Sequence, residues 1–307
     1  MQDETPPFGA GADGILEFAA RVAAVGTPVP DEVTQIARLG APALVALAPA
    51  RLRQILEQVI LGPFAPVGLQ WLHDAGALAV VLPELEATVD FSQEAGRRHK
   101  DVWEHTKQVV AQAPAEPMVR WSALLHDIGK VSTRVLLPDG KVTFHRHAEV
   151  GARMFNPIGR RLGFDRQERQ RIHDLILHHL RANAYEPEWT DAAVRRFDHE
   201  MGDILDDLVG LSRADVTSAR AGRKQEAARN IEALLHRIIA VRELDARVPP
   251  LPPGLGNAVM AAFALSPSKR VGELRKLCEE AIFRGELQER QAAEYYVDYL
   301  RKQGITG

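Results

Sequence analysis

The sequence predicts an all-α protein carrying one small β-hairpin. Three observations lead there. Apolar residues recur at three- and four-residue steps over most of the chain, Pro and Gly punctuate those runs, and a single strand-like stretch surrounds Asp139-Gly140.

Residues 1–14 are acidic and rich in Pro and Gly, and are expected to form a flexible N-terminus. They have neither the basic start nor the apolar core of a signal peptide, and no apolar run approaches the roughly 20 residues that span a bilayer, so a cytoplasmic protein without membrane contact is expected. Leu16–Leu61 and Val67–Leu82 read as helices, which makes 15–92 an N-terminal helical unit. Residues 93–222 form the next unit: nine of the 11 histidines lie between His99 and His199. Within it Val135 to Phe144 reads as a hairpin, because Asp-Gly favours the turn and strand-forming residues flank it. Residues 223–307 make a C-terminal helical unit, interrupted by the prolines that follow Arg247 and helical again from Ala258 to Lys302.

With 307 residues the chain is long enough for two or three packed units. Lys and Arg number 38 against 41 Asp and Glu, so no global positive field draws in nucleic acid, and any RNA contact needs a local patch. Cys278 is the one cysteine, which rules out an intramolecular disulfide and a thiolate zinc cluster. A metal would have to sit on imidazoles and carboxylates.

The run from Met118 to Lys130 is largely apolar yet contains His126-Asp127. A carboxylate buried there needs compensation, and a cation is the simplest partner; a His-Asp pair satisfied by nearby backbone is the plainer alternative. His105 stands three residues after Val102 and four before Val109, on the apolar stripe of its helix. Asp215 follows Ile204, Leu208 and Leu211 in the same way. Imidazoles and carboxylates turned inward from three helices point to a metal. His147 opens the helical run after the hairpin, and His179 lies on the apolar stripe of its own segment with His178 beside it as an additional candidate. With these the donors suffice for two divalent cations, drawn from Mn, Fe, Co, Ni, Zn or Mg, and Asp127 would bridge them. His73, His145, His173, His199 and His236 have no such surroundings and read as ordinary residues.

The order His105, His126-Asp127, His178-His179, Asp215, centred on His126-Asp127-Ile128-Gly129-Lys130, resembles the HD phosphohydrolase superfamily. Gly76–Leu85, His99–Thr106, His147–Ala152, Ser212–Val216 and Gly285–Leu287 are similar to one branch of it, the HD-bearing bacterial tRNA nucleotidyltransferases and poly(A) polymerases. On that resemblance residues 15–92 correspond to the neck, 93–222 to the HD domain and 223–307 to the tail. The family's polymerase head is not matched: the chain begins where the head would end, and no Asp-x-Asp pair follows a Gly-rich strand and turn, so nucleotide addition is not expected.

The resemblance implies hydrolysis of phosphoesters: phosphodiesters, including 2′,3′-cyclic phosphates, and phosphomonoesters. The residues suggest the route, a water activated to hydroxide by the cations, with Asp127 orienting it. Lys130 either adds positive charge for the phosphate or is a plain surface lysine; His99 either binds phosphate or protonates the leaving oxygen, or simply starts a helix. The competing expectations are a tRNA- or RNA-binding module without catalysis, gripping phosphates through Arg160 to Arg171 and Arg220 to Arg229, or a partner for a separately encoded nucleotidyltransferase head. Substrate identity and oligomeric state are not legible.

Overall fold

The computed structural model describes residues 8, 11–91, 101–217, 221–247 and 249–305, so His99 and Arg220 lie outside the described residues. Among the described residues the fold is all-α with a single two-stranded hairpin, as expected. Among the described residues no helix is long and apolar enough to cross a membrane.

By compactness the chain forms two units: Met1–Ala184 with Asp206–Ala228, and Tyr185–Leu205 with Arg229–Gly307. In the first, the stretches read as helices from the sequence are α1 (Ala12–Val25), α2 (Asp31–Gly40), α3 (Pro49–Leu61), α4 (Ala65–Asp74), α5 (Ala77–Val81) and α6 (Pro83–Glu86). Prolines open α3, α4 and α6 at the first helical positions, where a missing N–H costs nothing. α7 (Val102–Gln112) begins on the N-cap Asp101, whose carboxylate accepts from the amides of Trp103 and Glu104 at 2.7 and 3.1 Å. α8 (Pro117–Leu125) packs on α3, α7 and the later α11. After α9 (Lys130–Thr133), β1 (Val135–Leu136) pairs antiparallel with β2 (Val142–Thr143). The hairpin turns at Gly140, whose φ of 79° suits a residue without Cβ. α10 (His147–Arg161) and α11 (Arg166–His178) pack on each other, and a capping box between Asp165 and Glu168 starts α11.

Trp121 of α8 anchors this core. It is fully buried, donates its indole N–H to Glu57 Oε1 at 3.0 Å and meets the Phe164 ring edge-on at 5.3 Å. Arg53 of α3 lies over the other partner, 4.0 Å from the Phe164 centroid, while its guanidinium pairs with Glu168. The framework that carries the histidines is therefore pinned to the N-terminal helices by one aromatic cluster and its polar clasp.

The second unit contains α12 (Asp191–Met201), most of α14 (Ala221–Arg247), α15 (Leu255–Phe263), α16 (Lys269–Phe283) and α17 (Ala293–Lys302), while α13 (Leu205–Asp215) belongs almost wholly to the first. Its core gathers Leu255, Val259, Leu274, Cys278, Tyr296 and Leu300. These units cut across the division expected from sequence, since 185–205 goes with the C-terminal helices and the later boundary falls inside α14. The cause is polar as well as apolar. Arg195 of α12, almost fully buried, is held by Asp245 at 2.5 and 2.7 Å and by Glu289 at 2.6 Å, and His199 stacks on Phe283 at 4.4 Å.

Candidate metal centre

Helix ends build the site. His126 is the C-cap residue of α8 and His179 that of α11, Asp215 closes α13, and His147 is the first residue of α10; only His105 sits within a helix, α7. The sequence had suggested inward stripes for His105, His179 and Asp215, and for His147 the start of the helical run after the hairpin, which is where it stands. The stripes deliver the helices, but the ligand-bearing side chains mostly emerge where the helices stop.

Four imidazoles converge on Asp127. Nε2 of His126 lies 3.1 Å from Asp127 Oδ2 and 3.5 Å from Asp215 Oδ1; Nε2 of His105 lies 3.4 Å and 3.0 Å from the same two atoms. On the other side His147 Nε2 is 3.5 Å from Asp127 Oδ1 and 3.3 Å from His179 Nε2. Two groups thus have ligand atoms all within 4.8 Å of one another, His105-His126-Asp127 and Asp127-His147-His179, and Asp127 is common to both. His178 is half-buried beside them and belongs to neither group.

The hydrogen bonds decide which ring nitrogen faces the centre. His126 Nδ1 bonds to Ala123 O at 2.8 Å, His179 Nδ1 to Ile176 O at 2.7 Å and His147 Nδ1 to Phe144 O at 2.9 Å. A carbonyl only accepts, so each Nδ1 carries a proton and each Nε2 turns inward, as a lone pair wherever the ring is neutral. His147 and His179 then oppose two lone pairs at 3.3 Å, an arrangement that needs a positive charge between them. Asp127 Oδ1, buried, accepts no hydrogen bond among the described residues. An orphaned carboxylate oxygen amid inward lone pairs fits a divalent cation.

The electrostatics keep His147 and His179 neutral, whereas the acids beside His126 favour its charged form. Burial opposes an imidazolium at His126, but Asp127 and Asp215 outweigh it and raise the group to about 10. Burial and the neighbouring His126 bring His179 down to about 4, and burial lowers His147. Burial works against charge on Asp127 too, yet His126 and Lys130 hold it well below the usual carboxylate range; at Asp215 the bonds from His105 and His126 do the same. Lys130 is no plain surface lysine: its Nζ sits 2.6 Å from Asp127 Oδ2 and 5.7 Å from the Phe144 ring centroid.

A family profile described as HD domain matches residues 96–220. The chain carries an HD domain. Over about four-fifths of its length the chain is homologous to tRNA nucleotidyltransferases. It is 34% identical to an A-adding tRNA nucleotidyltransferase of Deinococcus radiodurans, over 80% of this chain and 57% of that protein. It is also 34% identical to a CC-adding tRNA nucleotidyltransferase of Thermus thermophilus, over 82% of this chain and 56% of the relative. A multifunctional CCA protein of Pseudomonas paraeruginosa is 37% identical over 39% of this chain and 31% of its own length. The chain therefore spans little more than half the length of the first two relatives.

Sequence reasoning passed over three residues that shape the HD site. Thr217 Oγ1 lies 2.9 Å from His105 Nδ1 and orients the one imidazole that has no carbonyl partner of this kind. Gly129 lets α10 approach: a Cβ there would stand 2.1 Å from His147 O and 2.6 Å from Gly151 N. Gly151 completes the approach on the α10 side. Both glycines lie in motifs quoted for the resemblance, and a Gly within a helical run is itself a sign of close backbone contact. Thr217 had no such signal.

Proposed function

We infer that the HD domain is a metal-dependent phosphohydrolase that cleaves phosphoesters, a phosphodiester such as a 2′,3′-cyclic phosphate or a phosphomonoester. The supporting observation is the orphaned Oδ1 of Asp127 on the side of His147 and His179, whose Nδ1–H bonds turn their lone pairs inward. His105, His126, Asp127 and Asp215 would hold one cation; His147 and His179, with the second oxygen of Asp127, would hold another. Mn, Fe, Co, Ni, Zn and Mg all suit such a nitrogen and oxygen set. When bound, the cations supply Lewis acidity toward phosphate and lower the proton affinity of a water. The carbonyls of Ala123, Ile176 and Phe144 fix ring orientation in advance, and Lys130 steadies Asp127 Oδ2 while adding positive charge. With its oxygens turned to Lys130 and the imidazoles, Asp127 is not disposed to act as a nucleophile.

The test is metal analysis of purified protein together with a screen of phosphomonoesters and of linear and cyclic diesters. One to two equivalents of cation are expected. Saturation at about a hundred times Kd should raise the melting temperature by on the order of 5–10 °C over chelated protein. His147→Ala or His179→Ala should release one cation and most activity while the other stays bound. A metal-free protein indifferent to divalent ions would refute the reading. Lys130→Ala should keep its cations and fold but lose roughly ten- to a thousand-fold in kcat, as for one electrostatic donor; wild-type kcat would return Lys130 to a structural role.

A second reading draws on the relatives, whose names concern tRNA: the chain binds RNA without catalysis, or partners a separately encoded nucleotidyltransferase head. The first basic stretch speaks against a grip through its length, because Arg161 pairs with Glu84 at 2.7 Å, Arg171 with Asp207 at 2.6 Å, and Arg169 bonds to Phe164 O. A chain that binds tRNA yet hydrolyses none of the phosphoesters with any of these cations would favour this reading.

A further inference from the structure

Three of the four imidazoles at the centre have a single arrangement open to Nδ1. The carbonyls of Ala123, Ile176 and Phe144 accept and never donate, so Nδ1 of His126, His179 and His147 keeps its proton whatever faces Nε2. His105 is held differently. Its Nδ1 lies 2.9 Å from the hydroxyl of Thr217, a group that either accepts or donates.

The other nitrogen of the same ring meets two opposite demands. Nε2 of His105 lies 3.0 Å from Asp215 Oδ1 and 3.4 Å from Asp127 Oδ2, and toward an ionised carboxylate, which only accepts, the ring must donate an Nε2 proton. A cation at that atom requires the lone pair instead, and a neutral ring then carries its proton at Nδ1. A carbonyl beside Nδ1 would serve the second arrangement alone. The hydroxyl serves both, donating to Nδ1 in the first and accepting from Nδ1–H in the second, by rotation about one bond.

The fold builds this clamp from one stretch of chain. Asp215 is the last residue of α13 and Thr217 follows two residues later, so the two groups that hold opposite nitrogens of the ring travel together. Gln112, two helical turns after His105 on α7, donates to Ala214 O at 2.7 Å and ties that stretch to the helix that carries the ring. All of these residues belong to the first compact unit.

We propose that Thr217 is a positioning residue that lets His105 pass from donating to Asp215 to ligating a cation without leaving Nδ1 unpaired; this rests on the ligand role given to His105 above, and not on the reaction assigned to the centre. The proton displaced from Nε2 leaves to solvent and Nδ1 takes one up, so the ring stays neutral. Thr217 touches no substrate and acts only through the ring.

The experiment compares wild type, T217S and T217V, first chelated and then titrated with Zn by calorimetry. In nitrogen-15 histidine-labelled protein the ring nitrogens are followed by NMR at about pH 8, where an ordinary imidazole is neutral. The His105 signals, identified by their loss in H105Q, should show the proton at Nε2 in chelated wild type and at Nδ1 once Zn is bound. His126, His147 and His179 should keep a proton at Nδ1 in both conditions. T217V should bind Zn about ten- to a hundred-fold more weakly, the loss usual for a partner that orients a ligating histidine, and T217S should bind as wild type does. Equal Zn affinity in wild type and T217V overturns the proposal and leaves the ligand role of His105 standing. A His105 proton at Nδ1 in both conditions also overturns it. So does a T217S affinity as weak as that of T217V, which would assign the effect to packing rather than to the hydroxyl. Wild type that binds no Zn would defeat the ligand role and the proposal together.

Discussion

Replacing Asp127 with Ala is expected to abolish phosphoester hydrolysis and to empty at least one cation position, a loss beyond the roughly 10²–10³-fold that follows removal of a single electrostatic donor. The side chain serves both candidate groups, with Oδ2 toward His105 and His126 and Oδ1 toward His147. Its removal also strands the Lys130 ammonium, whose 2.6 Å partner disappears, so some stability goes as well. Asp127→Asn separates these effects: it keeps the volume, gives up the charge, and should still fail in catalysis and in metal content measured by elemental analysis. Single-turnover hydrolysis by wild type in oxygen-18 water should put the label on the phosphate product. Label found first in the Asp127 carboxylate would mean a covalent intermediate.

Gly129→Ala should do comparable damage by a different route. Its φ of −67° suits any residue, so the constraint is space alone. The new methyl would press on His147 O at 2.1 Å, Gly151 N at 2.6 Å and Gly151 Cα at 3.1 Å, all main-chain atoms that cannot rotate away. α10 would have to retreat, carrying His147 from Asp127. A loss of about 3 kcal/mol in urea unfolding is expected, at the upper end for overpacking, together with loss of the cation on the His147 side. Gly151→Ala is the control: its nearest neighbours would stand at 3.4–3.5 Å, and about 1 kcal/mol or less should be lost. Equal effects from the two changes would show that close approach at Gly129 is not what places His147.

Much of this arrangement was written in local patterns. Apolar spacing revealed helices, Asp139-Gly140 gave away the hairpin, and an acid next to a histidine in an apolar run exposed the heart of the site. His105, Asp215 and His179 stood out because they share apolar faces with residues that pack, and His147 because it opens the helix after the hairpin. The remainder depends on contacts between distant segments. That α12 joins the C-terminal helices follows from Arg195 meeting Asp245 and Glu289, partners 50 and 94 residues away, which no periodicity encodes. Thr217 stays invisible until folding lays it against His105, 112 residues earlier. His179 stood apart from His178 already by its place on the apolar stripe, and it is His179 that the fold gathers with Asp127 and His147.

Helix polarity adds an ordering to these events. α8, α11 and α13 stop at the centre while α10 starts there, so the negative ends of three helix dipoles outweigh one positive end where Asp127 and Asp215 already concentrate charge. A phosphate ester arriving first would meet a field that repels it, whereas a divalent cation arriving first reverses the sign of that field. Binding should therefore be compulsorily sequential, cation before anion, with phosphate affinity vanishing as free metal is withdrawn and cation affinity persisting without phosphate.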